Sequence, residues 1–145
     1  MLVCIYSLLA HQSYLILHLL ENFYRLLPFA QKHNLRIVAP NRRDYIGSTL
    51  FSEEELSALN GNDDVAHRAF LRDRGLEVAY FLKWIIDEMK IPQASEDGKA
   101  GGLALMGWSL GNTTTTAFLG HLQTYPPELV KALEPYLRTF FIYGI

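Results

Sequence analysis

Residues 103–111 read Leu-Ala-Leu-Met-Gly-Trp-Ser-Leu-Gly, an apolar run that ends in a Gly-x-Ser-x-Gly pentapeptide centred on Ser109. The short apolar stretch at residues 103–106 follows two glycines and predicts a buried strand. Residues 110–122 predict a helix directly afterwards. A serine between a strand and a helix can be held on a sharp turn that exposes its hydroxyl group. The stretch therefore predicts a nucleophilic serine at the end of a buried strand.

Two other interpretations compete with a nucleophilic serine at this turn. A phosphate-binding loop also joins a strand to a helix through glycines, but it requires Gly-x-x-x-x-Gly-Lys-[Ser/Thr]. Here only three residues separate Gly107 from Gly111, and Asn112 stands where lysine would provide charge for the phosphates. A structural turn with an incidental serine is the other alternative. We expect the tight turn to require both glycines, because side chains there would collide with the neighbouring strand or helix.

Helical and strand patterns alternate along the chain. Apolar residues that recur every three or four positions predict helices, and short β-type runs bounded by glycine or proline predict strands. The predicted helices lie at residues 14–32, 65–89, 110–122 and 128–133, with a short one after Ser52, and the predicted strands lie at residues 2–9, 35–39, 103–106 and 139–143. Ser52 and Glu55 stand at the two positions of a capping box.

The helix predicted at residues 65–89 has one mainly apolar face, which we expect to pack on the core. The residues assigned to that face are Ala66, Phe70, Tyr80, Phe81, Trp84 and Ile85. Charged residues of this helix, Arg74 among them, are expected to lie mostly off the face. Gly75 weakens the prediction of an unbroken helix, because glycine costs about 1 kcal/mol relative to alanine in a helix interior.

Strands separated by helices are typical of βαβ units, and short wholly apolar strands are typical of parallel sheets that are covered on both faces. The predicted fold class is therefore α/β, with a mostly parallel sheet and helices on both faces. Ligands of such sheets bind beyond the carboxyl ends of the strands, where Ser109 stands. The strand at residues 139–143 would be an unpaired hydrophobic edge, so we expect self-association through it.

Residues 103–111 resemble the nucleophile-elbow strand of the α/β-hydrolase superfamily, AB hydrolase-1 type. Residues 36–48 are similar to the family's strand and following loop, written as apolar residues and then Asp-x-Arg-Gly-x-Gly-x-Ser. The match keeps Arg43, Gly47 and Ser48, and it departs at Asn41 and Asp44, where the family usually has an acidic residue and a glycine. The resemblance covers roughly residues 23–143.

The resemblance implies a serine hydrolase that acts on an ester or similar small-molecule acyl substrate, without a cofactor or a metal ion. In that family pattern Ser109 is the nucleophile and the backbone N–H of Leu110 is one oxyanion donor. A serine here argues against the epoxide and haloalkane branches, which place aspartate at this position. The resemblance further implies one incomplete domain over residues 1–145, with the C-terminal strands missing and residues 1–22 atypical.

The sequence after Ser109 offers no clear catalytic acid or histidine in the order that the family uses. In the family the acid and then the histidine follow the nucleophile, and after Ser109 the chain offers only Glu128, Glu134 and His121. His121 would lie about 18 Å away along the same helix. The family's His-Gly oxyanion loop is absent, with His11 and the glutamine after it as a possible remnant. We expect the chain to be inactive as given; the alternative is a non-catalytic fragment or binding-only remnant of the fold.

Charge and composition narrow the classes of protein to which the chain can belong. The formal net charge of −2, with both signs mixed along the chain, gives no electrostatic footprint for nucleic acid. The single cysteine, Cys4, excludes an internal disulfide framework and slightly favours the cytoplasm. The first twenty residues carry no acidic residue, lysine or arginine. A buried strand or helix, a misread N-terminus, and a signal or anchor all stay open there, although we expect no membrane partner.

Overall fold

The computed structural model describes the backbone of residues 2–7 and all of residues 25–40, 42–44 and 48–144. Within these residues the chain forms four strands and five α-helices. In chain order they are β1 (Leu2–Ser7), α1 (Leu27–Lys32), β2 (Arg36–Val38), α2 (Glu53–Asn60), α3 (Asp64–Glu88), β3 (Leu103–Trp108), α4 (Gly111–Gly120), α5 (Pro127–Leu133) and β4 (Leu137–Tyr143). A short 3₁₀ turn at Leu122–Thr124 follows α4.

The four strands form one parallel sheet in the order β2-β1-β3-β4. The predicted α/β class with a parallel sheet is thus confirmed. From β1 the chain moves to one side to form β2, and it then returns past β1 to form β3 and β4. By the rule that crossovers between parallel strands are right-handed, we expect α1 on the face opposite to α3, α4 and α5. The direction of strand addition reverses between β1 and β3.

The N-terminal segment contributes a central strand. β1 pairs with β3 in continuous register from Leu2 opposite Leu103 to Ser7 opposite Trp108. The open question of strand or helix is settled as strand for Leu2–Ser7. His11, His18 and most of the helix predicted at residues 14–32 lie outside the described residues. No helix of the described residues is long and apolar enough to cross a membrane.

The long helix α3 is continuous, but its buried face matches the predicted one only in part, since of the six assigned residues Ile85 alone is fully buried. Tyr80 and Trp84, assigned to the core, are 53% and 57% exposed, whereas the charged Arg74 is buried. The residues that face the core are mostly aliphatic and are Gly75, Val78, Ala79, Leu82, Ile85 and Ile86. The apolar residues of α3 occupy more than one side of the helix, so their spacing alone does not fix its rotation.

Gly75 determines which side of α3 meets the core. A Cβ atom at this position would lie 2.6 Å from the Phe118 backbone nitrogen and 2.3 Å from the Tyr125 hydroxyl oxygen. The glycine therefore lets the backbones of α3 and α4 approach closely. This close packing explains why the helix tolerates a glycine in its interior. The core beneath this crossing includes Phe118 and Leu105 of β3, both fully buried.

The edge strand β4 is two residues longer than predicted. It begins at Leu137, and one extra residue interrupts its register with β3 between Leu103 and Ala104. The exposed fractions of Phe141, Ile142 and Tyr143 are 47%, 56% and 64%. The predicted hydrophobic edge is therefore present, with its outer side unpaired within the described residues.

Candidate functional site

The site is built at the carboxyl edge of the sheet. Because all four strands are parallel, their carboxyl ends meet on one side, and Ser109 follows the last residue of β3. The reversal of strand order between β1 and β3 leaves a crevice at that side, which is where open α/β sheets bind ligands. The fold thus brings the predicted serine to the position where a ligand is expected.

The backbone of Ser109 adopts a left-handed conformation with φ = 52°. Such a conformation costs a residue with a side chain roughly 1–2 kcal/mol. It allows the chain to turn from β3 into α4, whose first residue is Gly111. The side chain of Ser109 is exposed. This is the sharp strand-to-helix turn that the pentapeptide predicts.

Gly107 is required by the close approach of β3 and α4. A Cβ atom there would lie 2.8 Å from the Cα atom of Asn112 and 2.8 Å from Thr115 Oγ1. Real Cβ contacts essentially never come so near to backbone atoms, so any larger residue would push the helix away from the strand. The expected collision is confirmed at this position. Gly111 is buried at the first residue of α4.

The end of β4 holds the turn in place. The backbone N–H of Ser109 donates to the Tyr143 carbonyl oxygen at 2.9 Å, and Asn112 Nδ2 donates to the same oxygen at 3.2 Å. A phosphate loop would need its backbone N–H groups free to point at the ligand. The engagement of the Ser109 N–H therefore weighs against that alternative.

Leu110 stands at the N-terminus of α4, before the first helical residue. Its carbonyl accepts from Thr113 N at 3.1 Å, and its own N–H meets no hydrogen-bond acceptor among the described residues. Unpaired N–H groups at a helix start attract negative charge. The donor proposed for an oxyanion is therefore available, directly after the serine. Its side chain is 53% exposed.

The histidines and carboxylates named as possible partners do not meet Ser109. His121 caps the far end of α4, and Glu128 and Glu134 are exposed at the two ends of α5. Within residues 25–40, 42–44 and 48–144, no side chain hydrogen-bonds to the Ser109 hydroxyl. The same part of the chain contains no cluster of His, Cys, Asp or Glu that could hold a metal ion.

The backbone at Asp44 explains one position of the second motif, residues 36–48. Asp44, which stands where the family pattern has glycine, adopts φ = 66°. Glycine enters this region without cost, and aspartate tolerates it better than most residues. The carboxylate of Asp44 accepts from the Phe51 backbone N–H at 3.4 Å. Asp44 forms no salt bridge with any described residue.

Arg43, the arginine kept from the motif, belongs to a cluster of four charged residues. We call Arg43, Arg74, Glu55 and Glu77 the Arg–Glu cluster. Arg43 binds both carboxylate oxygens of Glu55, at 2.7 and 2.6 Å, and Glu77 at 2.7 Å. Arg74 binds Glu55 at 2.8 Å and Glu77 at 2.9 Å. The cluster ties the chain after β2 to α2 and α3.

The contacts within the cluster favour the charged forms of Glu55 and Arg43. The hydrogen bonds from Arg43, the Ser52 backbone N–H and Arg74 lower the pKa of Glu55 to about 2. The carboxylate of Glu55 in turn raises the pKa of Arg43. The Arg74 guanidinium lies 5.0 and 4.7 Å from the ring centres of Phe51 and Phe70. These rings stabilise the cation, whose Nε and Nη1 atoms have no hydrogen-bond partner among the described residues.

A cavity of about 260 Å³ lies between the Arg–Glu cluster and the start of α4. Its walls include the two arginines of the cluster, Phe51 and, from the start of α4, Leu110. Sequence reasoning missed this cavity and the cluster, since it placed Arg74 off the packed face. The only local signal was the i,i+3 spacing of Arg74 and Glu77, which is common on solvated helix faces.

Comparisons with known proteins identified no relative of this chain. A scan against protein-family models, a search of curated proteins and a search of solved structures each found no match. The likeness to α/β hydrolases therefore rests on the two motifs and on the geometry of the turn around Ser109.

Proposed function

We propose that this protein is a serine-dependent acyl hydrolase of the α/β-hydrolase type. The observation that carries the proposal is the left-handed Ser109, exposed between β3 and α4 at the carboxyl edge of a parallel sheet. A strained backbone at an exposed nucleophile is a recognised sign of a functional site. The pentapeptide and the turn geometry agree with each other, and both support a nucleophile elbow.

The proposed reaction begins with attack of Ser109 Oγ on an ester carbonyl carbon. A bond forms between Oγ and that carbon, the bond to the leaving alkoxide breaks, and the alkoxide takes up the proton that Oγ loses. In the second half a water oxygen bonds to the acyl carbon, the bond from that carbon to Oγ breaks, and Oγ regains a proton from the water as the acid leaves. During each step the negative oxygen would be stabilised by the Leu110 N–H, a donor whose loss typically costs about 10²–10³ in rate. The general base is unassigned, because no described histidine or carboxylate reaches Ser109.

A binding-only protein of the same fold is the second candidate. The observation that favours it is the lack of an acid–base pair around Ser109 within the described residues. A serine hydroxyl without a base is a weak nucleophile. Under this candidate the crevice would bind an acyl compound without cleaving it.

Labelling with a fluorophosphonate separates the two candidates. The hydrolase candidate requires a base from outside the described residues, and with that base we expect the probe to modify Ser109 covalently, with the adduct located by peptide mass spectrometry. Labelling should vanish in Ser109→Ala and persist in Ser57→Ala, which removes an exposed serine of α2. An unlabelled Ser109 would contradict the hydrolase proposal and leave the binding-only candidate.

Turnover is measured separately on p-nitrophenyl acetate. Hydrolysis that disappears in Ser109→Ala but not in Ser57→Ala would show that the chain carries its own base. Labelling without turnover would indicate an activated serine that cannot complete deacylation.

A further inference from the structure

The cavity beside the Arg–Glu cluster begins one residue from the proposed nucleophile. Leu110, Thr113 and Thr114 of the first turn of α4 form one wall. Leu59 of α2 and Leu71 of α3 contribute to the remaining lining. Because Leu110 follows Ser109 directly, a substrate held at the serine can extend one group into this space.

The lining is mainly apolar, and its charges cancel. Three arginines, Arg42, Arg43 and Arg74, border the cavity together with Asp44. Glu55 and Glu77 neutralise two of these arginines through contacts of 2.6–2.9 Å. The positive charges of the three arginines are therefore balanced by the carboxylates of Asp44, Glu55 and Glu77. The site has no net positive charge that would attract an anionic ligand. Its leucine and phenylalanine side chains favour an uncharged hydrocarbon group instead.

The volume sets the size of that group. An apolar cavity of roughly 150 Å³ is enough to bind benzene in another protein. At about 260 Å³ the present cavity has more room. By simple proportion from the six carbons of benzene, it can hold a hydrocarbon of at most roughly ten carbons.

We propose that this cavity is the acyl pocket of the protein, which takes an uncharged medium-length acyl chain of an ester whose carbonyl lies at Ser109. The inference rests on the proposed hydrolase function for its substrate, but the cavity also binds the hydrocarbon group by itself. Leu59 and Leu110 then determine chain-length specificity, since they border the space from α2 and from the nucleophile turn.

Binding is tested first, without any reaction, by saturation-transfer NMR with 1-octanol. We expect binding to the wild type and to Ser109→Ala. In Leu59→Trp the added ring should fill the cavity and weaken binding at least about tenfold. Leu59 is 46% exposed, so the larger side chain has room to be accommodated without disturbing the core.

Val65→Trp is the matched control, because Val65 lies on α3, is 75% exposed and does not border the cavity. It should bind 1-octanol as the wild type does. Unchanged octanol binding in Leu59→Trp would overturn the pocket. Tighter binding of octanoate than of 1-octanol would also overturn it, since that result would indicate an anion site.

Chain-length specificity is tested next, with p-nitrophenyl octanoate and acetate. The ratio of their kcat/KM values should fall about tenfold in Leu59→Trp and stay constant in Val65→Trp. A constant ratio in Leu59→Trp would contradict the pocket even if the hydrolase proposal holds. Octanol binding that depends on Leu59, without turnover of either ester, would support the pocket while refuting the hydrolase proposal.

Discussion

The left-handed Ser109 has a measurable consequence for stability. We compare Ser109→Gly with Ser109→Ala, two variants that both remove the hydroxyl group. Alanine keeps the cost of φ = 52°, which is roughly 1–2 kcal/mol for a residue with a Cβ atom. Glycine escapes that cost, but it loses about 0.5–1 kcal/mol through its greater freedom in the unfolded chain. The glycine variant should therefore be more stable than the alanine variant, by up to about 1.5 kcal/mol.

Thr116 provides the matched reference position. It is exposed within α4, so its backbone is helical and its side chain has no packing to lose. There Thr116→Gly should be less stable than Thr116→Ala by about 1 kcal/mol, the ordinary helix preference. The sign of the glycine–alanine difference should thus reverse between residues 109 and 116.

Urea denaturation of the four variants measures the free energies of unfolding by linear extrapolation. The two differences should be separated by about 1–2.5 kcal/mol, which is larger than the usual extrapolation error for a small domain. If glycine destabilises position 109 relative to alanine by as much as it does position 116, the backbone of Ser109 is not strained. The elbow interpretation would then lose its structural basis.

Two further predictions concern the Arg–Glu cluster and the sheet edge. Because the pKa of Glu55 is about 2 in the folded chain, below its ordinary 4.5, its contribution to stability is complete above pH 5 and is lost as the pH falls towards 2. Glu55→Gln should therefore lower the free energy of unfolding by roughly 1–2 kcal/mol at pH 7. Its difference from wild type should shrink towards pH 2 in urea titrations, and a difference independent of pH would contradict the ionic role. At the edge, Phe141→Lys should reduce the concentration-dependent self-association that we expect of β4, as measured by light scattering after size exclusion. Leu50→Lys, which changes an exposed leucine away from the sheet, should not reduce it; a wild type that stays monomeric at high concentration would refute this expectation.

Sequence reasoning predicted the features that short segments determine. The turn at Ser109 was predictable because its glycines, its apolar strand and its helix are contiguous in the chain. The capping box was predictable for the same reason: Ser52 Oγ accepts from Glu55 N at 3.2 Å, and Glu55 accepts from Ser52 N at 2.8 Å. The residues that define both features lie within a few positions of each other, which makes them predictable, although the turn is also held by the distant Tyr143 carbonyl.

The features that were missed depend on residues far apart in the chain. The Arg–Glu cluster joins Arg43, Glu55 and Arg74, which come from three separate elements. Their meeting depends on the rotation of α3, and that rotation is set by the close contact of Gly75 with α4. Apolar spacing alone suggested a different face, with Trp84 inside. The cavity follows from the cluster and was therefore equally invisible in the sequence.

The choice of serine at residue 109 is itself informative. Among the other described residues, positive φ occurs mostly at glycine, or at Asn34 and Asp44, whose side chains tolerate it. Lys90, just after α3, is a further exception within these residues. A glycine at 109 would make the same turn at lower cost, since the Tyr143 carbonyl holds the backbone N–H rather than the side chain. The strain at Ser109 therefore supports the proposed use of its hydroxyl group. Because Tyr143 accepts hydrogen bonds from both Ser109 N–H and Asn112, the position of the Ser109 hydroxyl depends on β4, so changes at the exposed sheet edge should also affect the labelling of Ser109.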